Sequence, residues 1–323
     1  MRPDARQCLR TVARLPNRPS SARPWGEVQC LLFPPFSIFP MPSLLTSDGL
    51  RLHTEHWAPD ASPRGTALLV HGLGEHIGRY PHVIARLRAD GWAVWGYDQR
   101  GHGRSPGRRG AIAAADSLLA DLGAMIAEVR RADPGPLLLL GHSLGGLVVA
   151  RYVAEGLAVR PAPWWQPVQA LVMSSPALDP GMSAGQKRLL AVLGALAPWL
   201  AVGNGLDPAW ISRDPAVVQA YIADPRVHDR VTPRLVRWIV DAGALVRERA
   251  ARWQTPTLLM WAGADRCVAP AGSAAFAAAA PATVLTSQVF TTLYHEIFNE
   301  PERAEPLAQL TRWLARFSQE IRP

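Results

Sequence analysis

Five short apolar runs constrain this chain more than any other feature. "TALLVHG", "WAVWGYD", "PLLLLGHS", "ALVMSSP" and "PTLLMWAGAD" are each rich in apolar residues and end in glycine or a small polar residue. Amphipathic stretches of helical period fill the intervals, such as "DSLLADLGAMIAEVRRAD" from Asp116 to Asp133. Runs apolar on both faces and separated by helices predict a mostly parallel sheet covered on both sides. A chain of 323 residues, 48% of them hydrophobic, can bury such a core. The rhythm breaks between about Gly181 and Ala250, where helical segments follow one another with no strand; a helical cap over about 181–250, inserted into an α/β domain spanning 41–323, is expected there.

The formal charge of +8 suggests nucleic acid until it is located. Residues 1–40 hold six arginines against Asp4 and Glu27, so half of the excess sits in that stretch, and the remainder is spread thinly. No nucleic-acid partner is expected. The same stretch contains seven prolines and no helix or strand period, and its apolar piece "LLFPPFSIF" is too short and interrupted to span a bilayer. It reads as a flexible extension: either an upstream start before a true one at Met41, or a targeting or tethering arm. Cys8, Cys30 and Cys267 have neither the even count of a disulfide framework nor metal-site spacing. They read as reduced thiols of a cytoplasmic protein, with no metal or other cofactor implied.

The third run leads into "GHSLGG", residues 141–146, and then into the helical "GGLVVARYVAEG". A GxSxG turn between a strand and a helix is a nucleophile elbow: small neighbours allow a sharp turn, and the serine hydroxyl projects from it. Ser143 is therefore the candidate nucleophile, the alternative being a structural serine in a tight turn. A serine needs a general base oriented by an acid. On folds with this elbow the acid and then the histidine follow it in the chain, and beyond Ser143 only His228 and His295 remain. His228, in "DPRVHDR", reads as a solvated residue of the cap. His295 follows the last alternating run, "SQVFTTLYHEIF", and is the candidate base. Asp265, just past the strand in "LLMWAGADRCV", is the candidate acid, and Asp179 after "VMSSPAL" is the alternative.

An oxyanion in such a reaction needs two backbone donors. Leu144, directly after the serine at a helix start, supplies one candidate, and Leu73 in the "HGLG" loop after the first run supplies the other. Asp98, Arg100 and His102 form a second charged group, but they precede the serine and read as loop-fixing residues. Cys267, two residues from Asp265, reads as a small buried side chain beside the triad. Trp164 and Trp165 read as packing or as a surface contact.

"HGLGEHIGRY" (71–80), "YDQRGHGRSPGRRG" (97–110), "GHSLGG" (141–146), "SSPAL" (174–178), "GADR" (263–266) and "YHEIFNE" (294–300) together resemble the monoacylglycerol lipase and lysophospholipase branch of the α/β-hydrolases, which is also similar to the serine aminopeptidase group. The resemblance runs through nearly all of residues 41–320. It implies the α/β-hydrolase fold, Ser143, Asp265 and His295 as a triad, and Leu73 and Leu144 as oxyanion donors. It also implies that Glu75 and Arg79 help hold the glycerol end of a substrate; a structural ion pair is their other reading. Where the animal enzymes carry a second histidine, three residues after the catalytic one, this chain has Phe298.

The activity so implied is cleavage of lipid carboxylic esters through an acyl-enzyme. A soluble carboxylesterase, peptidase or acyltransferase would use the same triad, and a non-catalytic ligand sensor could keep the fold. "LLAVLGALAPWLAVG", Leu189 to Gly203, is uncharged, too short to span a bilayer, and apolar all round. It is expected either to be buried or to rest on a membrane or micelle with Lys187 and Arg188 near the headgroups. The sequence leaves the oligomeric state open.

Overall fold

The computed structural model describes residues 43–59 and 63–320. The extension expected at 1–40, with Cys8 and Cys30, lies outside the described residues. An eight-stranded sheet runs in the order β1 (Ser43–Leu45), β2 (Arg51–Trp57), β4 (Trp92–Tyr97), β3 (Gly65–Val70), β5 (Leu137–His142), β6 (Ala170–Ser174), β9 (Thr257–Ala262) and β10 (Leu285–Phe290). β4, β3, β5, β6, β9 and β10 are parallel to one another, while β1 pairs antiparallel with β2 and β2 antiparallel with β4. The five apolar runs are β3, β4, β5, β6 and β9. β1 and β2 were not among them, since "RLHTEHW" holds only Leu52 and Trp57 as apolar residues among polar ones.

The parallel strands are buried on both faces because their side chains alternate between two apolar layers. Leu68, Leu139, Leu171 and Leu259 meet α2 (Ser117–Ala132), α3 (Leu144–Glu155), α6 (Pro233–Arg249) and α7 (Pro270–Ala279). Leu69, Leu140, Val172 and Leu258 meet α1 (Pro81–Ala89) and α8 (Ala304–Glu320) on the other side. Trp164 and Trp165 also pack inward: Trp164 lies 5.5 Å from the Tyr152 ring, and a Cβ at Gly156 would come within 2.4 Å of the Trp165 ring.

The stretch after β6 holds α4 (Ala184–Leu196), β7 (Val202–Gly203), α5 (Pro215–Ala223) and β8 (Arg230–Val231). β7 and β8 pair as a two-residue ladder, which the periodicity had not indicated. Ser183 and Gln186 cap α4 reciprocally. The helix stops at Leu196 because Pro198 disfavours helical geometry at Ala197 (φ −144°, ψ 56°). No residue of α4 is buried, whereas α6 sends Leu235, Trp238, Ile239 and Val246 into the main core beside α3.

The loop after β4 is pinned by Asp98. Its carboxylate accepts from Ile77 N at 2.9 Å and Arg104 N at 2.8 Å, while Ser105 Oγ donates to its carbonyl at 2.5 Å. Arg100, from the same loop, reaches the buried carboxylate of Asp121 at 2.6 Å and 2.8 Å. Asp98 thus holds backbone, and Arg100 ties the loop to α2 through Asp121. Asp98→Ala leaves two N–H groups without their charged acceptor, and we expect a loss of about 3 kcal/mol in urea unfolding. Asp98→Asn, which retains one acceptor oxygen, should lose less; a loss below about 1 kcal/mol for the alanine variant would show that the loop holds itself.

Candidate active site

Strand order reverses between β3 and β5: the chain leaves β3 towards β4 on one side and β5 towards β6 on the other. In a parallel sheet this divergence opens a crevice at the carboxyl ends of the two strands. Ser143 caps α3 there with φ 53° and ψ −120°, one of two non-glycine residues with positive φ among those described. That backbone costs energy and is held by its surroundings. Ser143 N donates to Ser174 O at 3.0 Å, and Leu147 N and Ala177 N bond to Ser143 O. Glycine is required on both sides. A Cβ at Gly141 would meet Gly145 O at 2.3 Å, and one at Gly145 would meet Val70 O at 2.1 Å.

Asp265 and His295 follow β9 and β10, further along the same edge of the sheet. His295 Nδ1 lies 2.7 Å from Asp265 Oδ2, while Asp265 Oδ1 accepts from Cys267 N at 2.8 Å and Val268 N at 3.1 Å. Burial alone would raise the Asp265 pKa, but the neighbouring His295 ring and these donors bring it below the usual range. Burial opposes charge on His295 too, yet Asp265 carries its pKa above the ordinary histidine value. Ser143 and His295 line one cavity of about 450 Å³ together with Leu73, Glu75, Tyr221 and His228. Its size lies in the range of small-molecule sites.

Leu144 is the first residue of α3, where helix N–H groups lack intrahelical acceptors. Leu73 sits across the crevice in the loop after β3. The loop is braced by Glu75, whose Oε1 accepts from Gly72 N at 2.6 Å and Tyr80 OH at 2.5 Å. Arg79 joins Glu75 at 3.1 Å and Glu296 at 2.6 Å, with its guanidinium 4.7 Å from the centre of the Tyr221 ring. Glu75 and Arg79 thus form the ion pair of the structural reading, and Glu75 also borders the cavity.

Several participants were not singled out in the sequence. Glu296, the second carboxylate on Arg79, stands directly after His295 inside the quoted "YHEIFNE". Glu300, fully buried, accepts from Ser212 Oγ and from the Arg213 and Tyr294 backbone, tying the His295 loop to the segment after α4. Only three-dimensional pairing could assign either partner. His228 is corrected outright: it is 6% exposed, lines the cavity and packs 4.7 Å from His102, because its N–H is held by Gly74 O at 2.8 Å. Asp179, the alternative acid, turns its carboxylate to Gly181 N at 2.8 Å. Cys267 borders the cavity, and burial pushes its thiol well up. Asp265, Cys267 and His295 offer ligand atoms within 4.8 Å of one another, although the aspartate and histidine atoms are already bonded to each other.

Residues 61–302 match the family model described as serine aminopeptidase, S33. The chain belongs to this family. The monoacylglycerol lipase of Mycolicibacterium smegmatis is 37% identical over 82% of the chain and 93% of its own length. Phospholipase YtpA of Bacillus subtilis is 30% identical over 77% and 94%. The crystal structure of the Paleococcus ferrophilus monoacylglycerol lipase superposes with a TM-score of 0.72 at 36% identity, covering 82% of this chain and 99% of that one. The chain is accordingly a carboxylic ester hydrolase of the monoacylglycerol lipase branch of the α/β-hydrolases.

Because the folded-state pKa of His295 lies above the ordinary histidine value of 6.5, its pairing adds stability that is complete below pH 6.5 and fades as pH rises through the folded value. We expect the His295 ring to titrate by NMR above the ordinary histidine value, and Asp265→Asn to bring it down. A wild-type ring titrating below it would mean that the pair does not share charge as the geometry indicates.

Proposed function

We propose that this hydrolase cleaves monoacylglycerols or lysophospholipids by forming an acyl-enzyme on Ser143. The observation that carries the reading is the 2.7 Å Asp265–His295 pair sharing a cavity with the strained Ser143 elbow. Asp265 holds the His295 Nδ1–H, so the neutral ring presents Nε2 as a base. Ser143 Oγ attacks the ester carbonyl while Nε2 takes its proton, and the N–H groups of Leu73 and Leu144 receive the developing oxyanion. Collapse expels the alcohol, protonated by the imidazolium, and a water activated by the same nitrogen then frees the fatty acid.

The site supplies this chemistry from its own side chains. Glu75, besides bracing the loop, borders the region where the alcohol half would lie, and Arg79 would act there through its bonds to Glu75 and Glu296. The polar wall of Asp224 and Asp229 suits that half, and Leu206, Ile211 and Ile222 suit the acyl chain. A soluble carboxylesterase, peptidase or acyltransferase would share the triad and differ in what the cavity admits.

The route of an apolar substrate is the second part of the proposal. Among the described residues no helix is long and apolar enough to cross a membrane. Yet Leu189, Val192, Leu196, Trp199 and Leu200 are exposed on and just after α4, behind exposed Lys187 and Arg188. Leu193, expected on the same face, is half-buried. We assign the exposed face to a peripheral contact with a lipid or micelle surface, the basic pair lying near the headgroups.

Ser143→Ala should lower turnover of an ester by roughly 10⁴-fold or more, because nucleophile and base act as a unit. Retention of most activity would remove the proposed mechanism. On the second point, replacing Val192 and Leu196 by glutamate should weaken liposome binding and hydrolysis of long-chain, aggregated esters while sparing short soluble ones. Equal loss on both substrate types would mean a damaged cap, and no loss on either would contradict the lipid-facing assignment.

A further inference from the structure

We propose that His228 is a positioning residue for the oxyanion donor Leu73, so that seating of the segment 224–232 sets the geometry of the reacting site. The inference rests on the catalytic reading above and extends it to a residue that touches none of the reacting atoms.

The amide of Leu73 and the carbonyl of Gly72 belong to one trans peptide unit, so fixing the carbonyl on one side aims the N–H to the other. His71 does the fixing: its Nδ1 lies 2.8 Å from Gly72 O, while its Nε2 accepts from Gln99 N at 2.9 Å. The bond from Gln99 N requires a free lone pair on Nε2, so the ring proton is on Nδ1, where it can donate to the carbonyl. The orientation of the Leu73 amide thus depends on where the His71 ring stands.

That ring is the first of three in a row. His71 packs against His102 at 5.3 Å between ring centres, and His102 packs against His228 at 4.7 Å. His102 is fixed by its own bond to Arg100 O at 3.0 Å, and His228 by Arg230 N at 3.1 Å. All three rings are buried, and burial holds the pKa of each below the ordinary histidine value, that of His228 at about 4. They therefore pack as neutral rings near neutral pH.

His228 also grips the far end of the same loop. Its N–H donates to Gly74 O at 2.8 Å, and a Cβ at Gly74 (φ 78°) would come within 2.2 Å of His228 O. One residue therefore holds the His71–Gly74 loop at both ends, through its backbone at Gly74 and through two rings at His71. The segment that carries it is anchored independently: Asp224 bonds His76 at 2.9 Å, and Thr232 bonds Gly110 O through both its N–H and its hydroxyl at 2.9 Å. Such ties give His228 a firm base from which to act on the loop.

An oxyanion donor acts mainly in the transition state, so tilting it should lower kcat and leave KM nearly unchanged. His228→Ala keeps the backbone bond to Gly74 and removes the ring. On a short soluble ester we expect kcat to fall about ten-fold, less than the 10²–10³ for deleting a donor outright, with KM within about two-fold. Affinity for an alkyl trifluoromethyl ketone, which forms the tetrahedral oxyanion on Ser143, should fall by the same factor, while affinity for the matching unreactive ether stays unchanged. His228→Phe, which restores a ring against His102, should recover most of the lost kcat. If the alanine variant does not fold, His228→Gln, similar in length but without a ring, takes its place with the same expectation.

Trifluoromethyl ketone affinity equal to wild type, or a change confined to KM, would overturn the positioning role, as would failure of phenylalanine to rescue. Absence of ester turnover by the wild-type protein would instead defeat the functional reading, so the two failures are distinguishable.

Discussion

The approach of Gly145 to the carbonyl oxygens of Val70 and His71 is the contact on which the site depends. No larger residue fits, since a Cβ there would stand 2.1 Å from one oxygen and 2.4 Å from the other. The contact presses the first turn of α3 against the end of β3, bringing Ser143 and Leu144 face to face with the loop that carries Leu73. The parallel pairing of β3 with β5 sets the distance, and the left-handed backbone of Ser143 turns its side chain out of the sheet. Energy stored in that turn is held by the bonds of Ser143 to Ser174, Leu147 and Ala177 and by two apolar layers behind it.

A second layer of control comes from buried charge. Arg79 lies between Glu75 and Glu296, so the loop after β3 and the His295 loop share one cation. Burial opposes ionisation of both carboxylates; Arg79 still holds the Glu75 pKa below its usual range, whereas that of Glu296 stays raised. Removing Arg79 would leave two buried acids facing each other beside His295. Glu300 adds a similar tie to the segment after α4, through Ser212 and Arg213. The loop after β3, the His295 loop and the segment after α4 are thus fixed to one another by charge-assisted bonds.

The parallel sheet was legible because its strands are apolar on both faces, and that pattern survives in a single sequence. The elbow was legible because only small residues fit around Ser143. Ordering by chain position then narrowed the acid and the base to Asp265 and His295, which the fold brings within bonding distance. What stayed hidden depends on partners far apart in the chain. β2 holds only two apolar residues, Leu52 and Trp57, and so gives a weak signal; the two-residue ladder of β7 and β8 has no periodicity to read. Nothing local in "DPRVHDR" distinguishes a wet histidine from one buried against His102, because the burial comes from Gly74 and Gly101 on loops more than a hundred residues away. In the apolar stretch from Leu189 to Gly203, where a bend at Pro198 was expected, the helix ends at Leu196, and Leu193 is half-buried while Leu196 is exposed.

The central claim is that Ser143, activated by the Asp265–His295 pair, carries the acyl group between the two halves of the reaction. Acid quenching during turnover of a slowly deacylating ester, followed by peptide mass mapping, reads this directly. The account predicts a single acyl group on the peptide containing Ser143, absent when His295 is replaced by alanine. An acyl group on Cys267, or turnover with no covalent acyl-protein at any quench time, would contradict it.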